Sequence, residues 1–335
     1  MFRKKIVVLG TGGTIAGTAE RASDSLGYSA AQRGVDELLL ALPDLAQFPL
    51  ELLAEQVAQI DSKDMDFAVW QRLLQRCAHW LARDDVQGLV LTHGTDTLEE
   101  TAYFLQAVLA PRKPIVLTCA MRPATAISAD GPQNLLDALS VAACPGARGV
   151  VAVCAGTIHS ARDVQKVHPW RLDAFSSGDA GPVGQVVQGR LQLARDWPQG
   201  AVLCAPQAID KLATPAAWPR VEIVLSHAGA NGATVDALVA PALAQGLGAA
   251  PLKGLVVAAT GNGSLHHELE AALLRAQAAG VRVVRATRCC QGQVLAATDQ
   301  ALADSQGLTA VKARVALMLD LIAQPQAVAW APRGW

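Results

Sequence analysis

Aromatic residues supply only 4% of the 335 positions, too few for a row of base-stacking side chains. The chain also lacks an excess of either charge: 28 Lys and Arg face 29 Asp and Glu, a formal net charge of −1. Without a strong net field, neither nucleic acid nor an anionic membrane surface is an expected partner. No run approaches the roughly 20 apolar residues of a membrane helix, so no spanning segment is expected. Seven cysteines are present, none in a C-x-x-C spacing, and the adjacent Cys289-Cys290 is poor geometry for a disulfide or a metal. Cys154 closes the apolar run Val150-Val151-Ala152-Val153 and reads as a small hydrophobe. Reduced thiols in the cytoplasm are expected. The basic N-terminus leads into Ile6-Val7-Val8-Leu9, too short a run for a signal-peptide core and better read as a first buried strand.

What is present is material for a core. Apolar residues make up 51% and charged residues 17%, which rules out disorder as the main description. At about 100–200 residues per domain, the length allows two domains. Short apolar runs, many β-branched, recur at Ile6–Leu9, Gly88–Leu91, Ile115–Thr118, Gly149–Val153, Val221–Leu225, Leu255–Ala258 and Val281–Val284. Amphipathic stretches at Asp96–Ala110, Gln133–Ala143, Leu265–Ala279 and Val311–Ala323 alternate with several of them. Such alternation predicts parallel sheets covered on both faces, the α/β class. It lapses between about Gln185 and Arg220, where Trp197-Pro198 and Trp218-Pro219 fall. The expected division is a larger domain over 1–190, a connector over 191–219 and a smaller domain over 220–335.

Four segments carry chemistry. Gly10-Thr11-Gly12-Gly13-Thr14 follows the first strand but puts Ile15 where a dinucleotide fingerprint needs its third small residue, and no Lys-Ser or Lys-Thr follows to make a phosphate loop. What remains is a glycine turn presenting the Thr14 hydroxyl at a strand's carboxyl end, or a threonine that only caps a helix. Thr92-His93-Gly94-Thr95-Asp96-Thr97 repeats that geometry, with Asp96 or Thr97 as the alternative N-cap. Met121–Asn134 forms a polar loop entering a helix, and Lys166 lies on no amphipathic face. His266-His267 lacks the H-E-x-x-H spacing of a zinc site.

Taken in order and spacing, Thr11–Gly17, Thr92–Tyr103, Ala120–Asn134 and Arg162–Lys166 resemble the bacterial L-asparaginase (asparaginase/glutaminase) family over most of the chain, with Glu99–Tyr103 and Met121–Asn134 closer to its type II branch. That branch is often exported, whereas no signal sequence is read here. The resemblance implies a flavodoxin-like N-terminal domain with a mainly parallel sheet, a smaller C-terminal α/β domain, and a homotetramer of dimers with shared sites. It implies an amidohydrolase for L-asparagine that uses no cofactor and no metal. It makes Thr14 the nucleophile and puts Tyr28 on a mobile loop closing over it. Thr95 and Lys166 become a proton-handling pair, Asp96 the holder of the substrate's α-amino group, and Ser62 a ligand of its α-carboxylate. Asn262, and Asp299 in a weakly similar stretch, match residues lent by a neighbouring subunit.

Lys63 departs from the pattern, because many relatives carry Gln or Glu at that position near the α-amino group. A lysine would repel an ammonium unless Asp64, Asp66 or Asp96 compensates or the side chain points away. That departure keeps open an amidase for glutamine or for an amide without a free α-amino group. A non-catalytic asparagine binder remains the reading from another class, and attack by Thr95 instead of Thr14 remains the alternative chemistry.

Overall fold

Ile6, Val7, Val8 and Leu9 are fully buried and form the middle of β1 (Lys5–Gly12), as a run with no polar side chain requires. The computed structural model describes residues 4–24, 26–42, 45, 48–212, 214–240, 250–295, 301–326 and 330. It divides into two units, Met1–Gly200 and Ala201–Trp335.

In the first unit a 3-10 turn, Thr14–Ala16, follows β1. Next come the short hairpin β2 (Thr18–Ala19) and β3 (Tyr28–Ser29), then α1 (Val35–Leu40), β4 (Glu51–Ile60) and α2 (Phe67–Leu81). β5 (Val86–Thr92), α3 (Leu98–Leu109), β6 (Ile115–Thr118), α4 (Gly131–Ala143) and β7 (Val150–Cys154) continue the alternation. β8 (Thr157–Ser160), β9 (Gln165–Lys166), β10 (Phe175–Ser176), β11 (Gly184–Val187) and β12 (Arg190–Leu193) end the unit.

The parallel part of the sheet runs β4-β1-β5-β6-β7, the flavodoxin-like order, and β8, β11 and β12 extend it antiparallel. β4 lies on one side of β1, while β5 and its successors lie on the other. The strand order therefore reverses between β1 and β5, the place where open α/β sheets leave a crevice at their carboxyl ends. Apolar faces of α1 and α4 pack with one side of the sheet in a core that includes Val8, Val35, Leu38, Val90, Val116 and Leu139.

The second unit is a parallel sheet of β13 (Arg220–Leu225), β14 (Leu252–Ala259), β15 (Arg282–Thr287) and β16 (Ala303–Asp304). Its described helices include α5 (Pro206–Asp210), α6 (Ala233–Val239), α7 (His267–Ala278) and α8 (Ala310–Ala323).

Two long elements lie outside the periodic segments set out above. β4 carries Glu55, Gln56 and Gln59 and is only half-buried, because it is a sheet edge paired to β1 alone. α2 buries Val69, Trp70, Leu73, Leu74 and Cys77, a helical stripe interrupted by Arg and Gln. The stretch expected as a connector, 191–219, contains the end of β12, which still belongs to the first sheet, and α5, which belongs to the second unit.

Candidate active site

Two glycine turns at the strand-order reversal press against each other. Gly13, with φ +81°, occupies a left-handed conformation that a side chain resists. A Cβ there would meet Gly94 Cα and N at 2.4 Å, and a Cβ on Gly94 would meet Ser62 Oγ at 2.5 Å. Missing side chains thus let the turns after β1 and β5 and the 3-10 turn Ser62–Asp64 close on one point. Thr11 Oγ1 donates to Thr92 O at 2.8 Å and ties the two strand ends together.

On that frame the hydroxyls face one crevice. Thr14 Oγ1 lies 2.6 Å from Tyr28 Oη, and Thr14 is buried. Lys166 Nζ donates to Thr95 Oγ1 at 2.8 Å and to Asp96 Oδ1 at 2.6 Å. The lysine side chain is 17% exposed and the aspartate 53%, so a sheltered cation meets a wetter carboxylate. Lys166 reaches this place from β9, which pairs with β10, and its backbone N–H donates to Glu99 Oε1 at 3.3 Å. Ser62 Oγ accepts from Asp96 N at 3.1 Å, and Thr97 Oγ1 donates to Ser62 O at 2.8 Å.

Of the capping alternatives, only Thr97 occupies a helix N-cap. Gly13 caps the turn Thr14–Ala16 without a side-chain bond, and Thr97 caps α3 without one. The Thr14 hydroxyl pairs with Tyr28 and the Thr97 hydroxyl with the Ser62 carbonyl, while Thr95 and Asp96 share Lys166.

Thr14, Tyr28, Ser62, Thr95, Asp96 and Lys166 line one cavity of about 560 Å³. Asp61, Met121 and Arg122 line it as well, and Leu26, Pro169 and Trp170 add an apolar side. The Met121–Arg122 wall is set by Asp130, whose carboxylate accepts from Met121 N and Arg122 N, each at 2.9 Å. Arg122 donates to Ser128 O at 3.0 Å and so closes the loop on itself. The β2–β3 hairpin bearing Tyr28 is moored to the same loop, with Ala19 N donating to Thr125 Oγ1 at 2.9 Å.

Asp61 is a site residue that sequence reading passed over. It N-caps the Ser62–Asp64 turn, and its only signal was adjacency to Ser62. Lys63 is not part of the cavity lining; its ammonium bonds Asp64 at 2.5 Å and lies 3.8 Å from Asp61 Oδ2. The hydrogen bond that it donates to Asp64 raises its pKa above the ordinary value. Asn262 belongs to the second unit, where it exchanges hydrogen bonds with Leu295 N and O at 2.7 and 3.1 Å. Asp299 lies outside the described residues.

His93 is fully buried, with its Nδ1 2.7 Å from Gly94 O. Burial pushes the imidazole down to about 4, against the opposing pull of that bond, so it is neutral near pH 7. His266 caps α7, and among the described residues no group of three or more His, Cys, Asp or Glu could hold a metal ion. Nor is any described helix long and apolar enough to cross a membrane.

The fold and site define an α/β protein with a threonine–tyrosine pair and a threonine–lysine–aspartate cluster at the reversal point of a flavodoxin-like sheet. Residues 5–199 match the family model described as "Asparaginase, N-terminal", and residues 220–327 match "Glutaminase/Asparaginase C-terminal domain". The chain belongs to the asparaginase family and is type II-like. It is 37% identical to L-asparaginase 2 of Bacillus subtilis (strain 168) over 324 residues, covering 94% of this chain and 82% of that one. It is 36% identical to L-asparaginase 2 of Escherichia coli (strain K12), covering 94% and 88% of the two chains. Among solved structures, one titled a probable cytoplasmic L-asparaginase from Campylobacter jejuni superimposes with a TM-score of 0.85 at 36% identity, covering 97% of this chain and 96% of that one.

Proposed function

We propose that this chain hydrolyses the side-chain amide of L-asparagine to L-aspartate and ammonia through an acyl-enzyme on Thr14. The observation that carries the proposal is Lys166 Nζ within hydrogen-bond reach of both Thr95 Oγ1 and Asp96 Oδ1, in a cavity that also presents the Thr14–Tyr28 pair. A binder would need Asp96 and Ser62 but neither a lysine on a threonine hydroxyl nor a second hydroxyl paired to a phenol.

In this reading Thr14 Oγ1 attacks the amide carbon as its proton passes to Tyr28 Oη and the phenol's own proton goes on to the leaving nitrogen, while the Thr95 backbone N–H stabilises the oxyanion. Departing ammonia takes a proton, and water assisted by the Thr95–Lys166 pair then cleaves the ester. Ser62 holds the α-carboxylate, and the Asp96 carboxylate holds the α-ammonium. Asn262 and Asp299 would complete the amino-group site from a neighbouring subunit of a homotetramer built from dimers. L-Glutamine is the second substrate of this reading: the cavity of about 560 Å³ leaves room for it, and a relative from Pseudomonas fluorescens biotype A, 37% identical over 289 residues, is named glutaminase-asparaginase. One methylene discriminates by only about 10–200-fold.

The test is ammonia release from L-asparagine, D-asparagine, L-glutamine and β-alanine amide, with Thr14→Ala and Thr95→Ala beside the wild type and acid-quenched samples read by mass spectrometry. An acyl adduct on the peptide bearing Thr14 is expected. An adduct on Thr95 reverses the roles, and binding of asparagine without turnover ends the enzymatic reading.

A further inference from the structure

Cys119 and Cys154 stand 35 residues apart in sequence, yet their Sγ atoms lie 3.1 Å from each other. The closeness follows from sheet register. Thr118 of β6 pairs with Val153 of β7, so the next residues along the two parallel strands are these cysteines. Neighbouring strands run about 4.8 Å apart, within the range of Cα separations that a disulfide spans. Both thiols are free and buried.

The surroundings already clamp both positions. Asn134 Nδ2 donates to Cys119 O at 2.9 Å, while Asn134 Oδ1 accepts from Ala155 N at 2.9 Å. Cys119 leads through Ala120 into the Met121–Arg122 wall of the cavity, and the charges of Asp130 and Lys166 both reach its sulfur. The dithiol is thus built into the strand ends that carry the pocket wall. Among the other cysteines, Cys289 and Cys290 are exposed on the second unit, and Cys77 and Cys204 are buried elsewhere.

We propose that Cys119 and Cys154 form an oxidative modification site, a dithiol that a small hydroperoxide closes to an intramolecular disulfide locking the pocket wall. Cys154 Sγ, the less deeply buried of the two, attacks the peroxide O–O bond, yielding a sulfenic acid and one molecule of water or alcohol. Cys119 Sγ then attacks the Cys154 sulfur, the S–O bond breaks, and the departing hydroxyl takes the Cys119 proton to leave as a second water. Two thiols lose two electrons and two hydrogens, and the peroxide is reduced. The hydrogen bond with Cys154, and then burial, hold Cys119 protonated well above its ordinary range, so closure is slow and favours a small oxidant over a bulky disulfide. Joining residues 35 apart restricts the unfolded chain, so the consequence is a wall that unfolds less readily.

The experiment blocks exposed thiols of the folded protein with iodoacetamide and then titrates hydrogen peroxide. Non-reducing digestion with mass spectrometry should find one cross-linked peptide pair joining Cys119 to Cys154, two hydrogens lighter than the free peptides. The apparent Tm should rise by about 5–10 °C and return with dithiothreitol. The half-life of ammonia-releasing activity on heating should lengthen several-fold in parallel. Cys154→Ser should show neither change. Recovery of both thiols free at every peroxide concentration that leaves the protein folded overturns the proposal, and so does a cross-link with no reversible rise in Tm. The mapped cross-link is read on wild-type protein, so it stands even if the variant does not fold and whatever the substrate proves to be.

Discussion

Gly13 and Gly94 touch so closely that a methyl group on the first would sit 2.4 Å from the backbone of the second. This contact sets Thr14 and Thr95 around one crevice, although 81 residues separate them. Gly13→Ala adds both the overlap and a strained positive φ, about 1–3 kcal/mol for the backbone alone. Its Tm should fall, and kcat/KM should drop more than Tm accounts for. A variant with wild-type activity would show that the two turns need not meet.

Tyr28→Phe deletes the hydroxyl 2.6 Å from Thr14 Oγ1 and leaves the ring in place. A proton partner of the nucleophile contributes about 10²–10⁴-fold, so kcat should fall in that range with KM little moved. Steady-state kinetics on L-asparagine decide it; a loss confined to KM would make Tyr28 a binding group only.

Lys166→Met removes the cation between Thr95 and Asp96. Asp96 is half exposed, so water takes over its solvation and stability should change by less than about 1 kcal/mol. Activity should nevertheless fall by about 10²-fold or more. Thermal denaturation beside ammonia release separates the two effects, and equal losses in both would mark the lysine as structural.

Lys63 and Asp61 make a matched pair of tests. Lys63 turns to Asp64, so Lys63→Gln should leave the asparagine KM within about twofold, since an exposed pair is worth little. Asp61 faces the cavity beside Ser62, and Asp61→Asn should raise KM by about tenfold through loss of attraction for the α-ammonium. The reverse ranking would put Lys63, and not Asp61, within reach of the substrate's amino end.

His93 gives a pH signature. Its folded-state value of about 4 lies below the ordinary 6.5, so the unfolded chain binds the extra proton first as pH falls. Stability is complete above about pH 6.5 and is lost progressively toward pH 4, by no more than about 3 kcal/mol. His93→Asn, which can still donate to Gly94 O, should flatten the Tm profile over that window. Parallel profiles for the two proteins would remove His93 from the acid response.

Local sequence determined a good deal. Short β-branched runs such as Ile115–Thr118 read as buried strands, and that run keeps its bounds in the structure. The spacing of Leu98, Ala102 and Leu105 marks α3 as a helix, although the structure buries Thr101, Tyr103, Phe104 and Gln106 as well, and the matched motifs mark Thr14, Thr95, Asp96 and Lys166 because each is a short contiguous pattern. Edge and interior defeat such reading. β4 is polar on its open side and has no strand-like run, although it closes the flavodoxin-like order. Which hydroxyl meets which partner, the entry of Asp61 into the cavity and the meeting of Cys119 with Cys154 were decided only by tertiary structure. Each depends on strand register and on turns packed across long sequence separations, whereas periodicity and motif report only what neighbours along the chain impose.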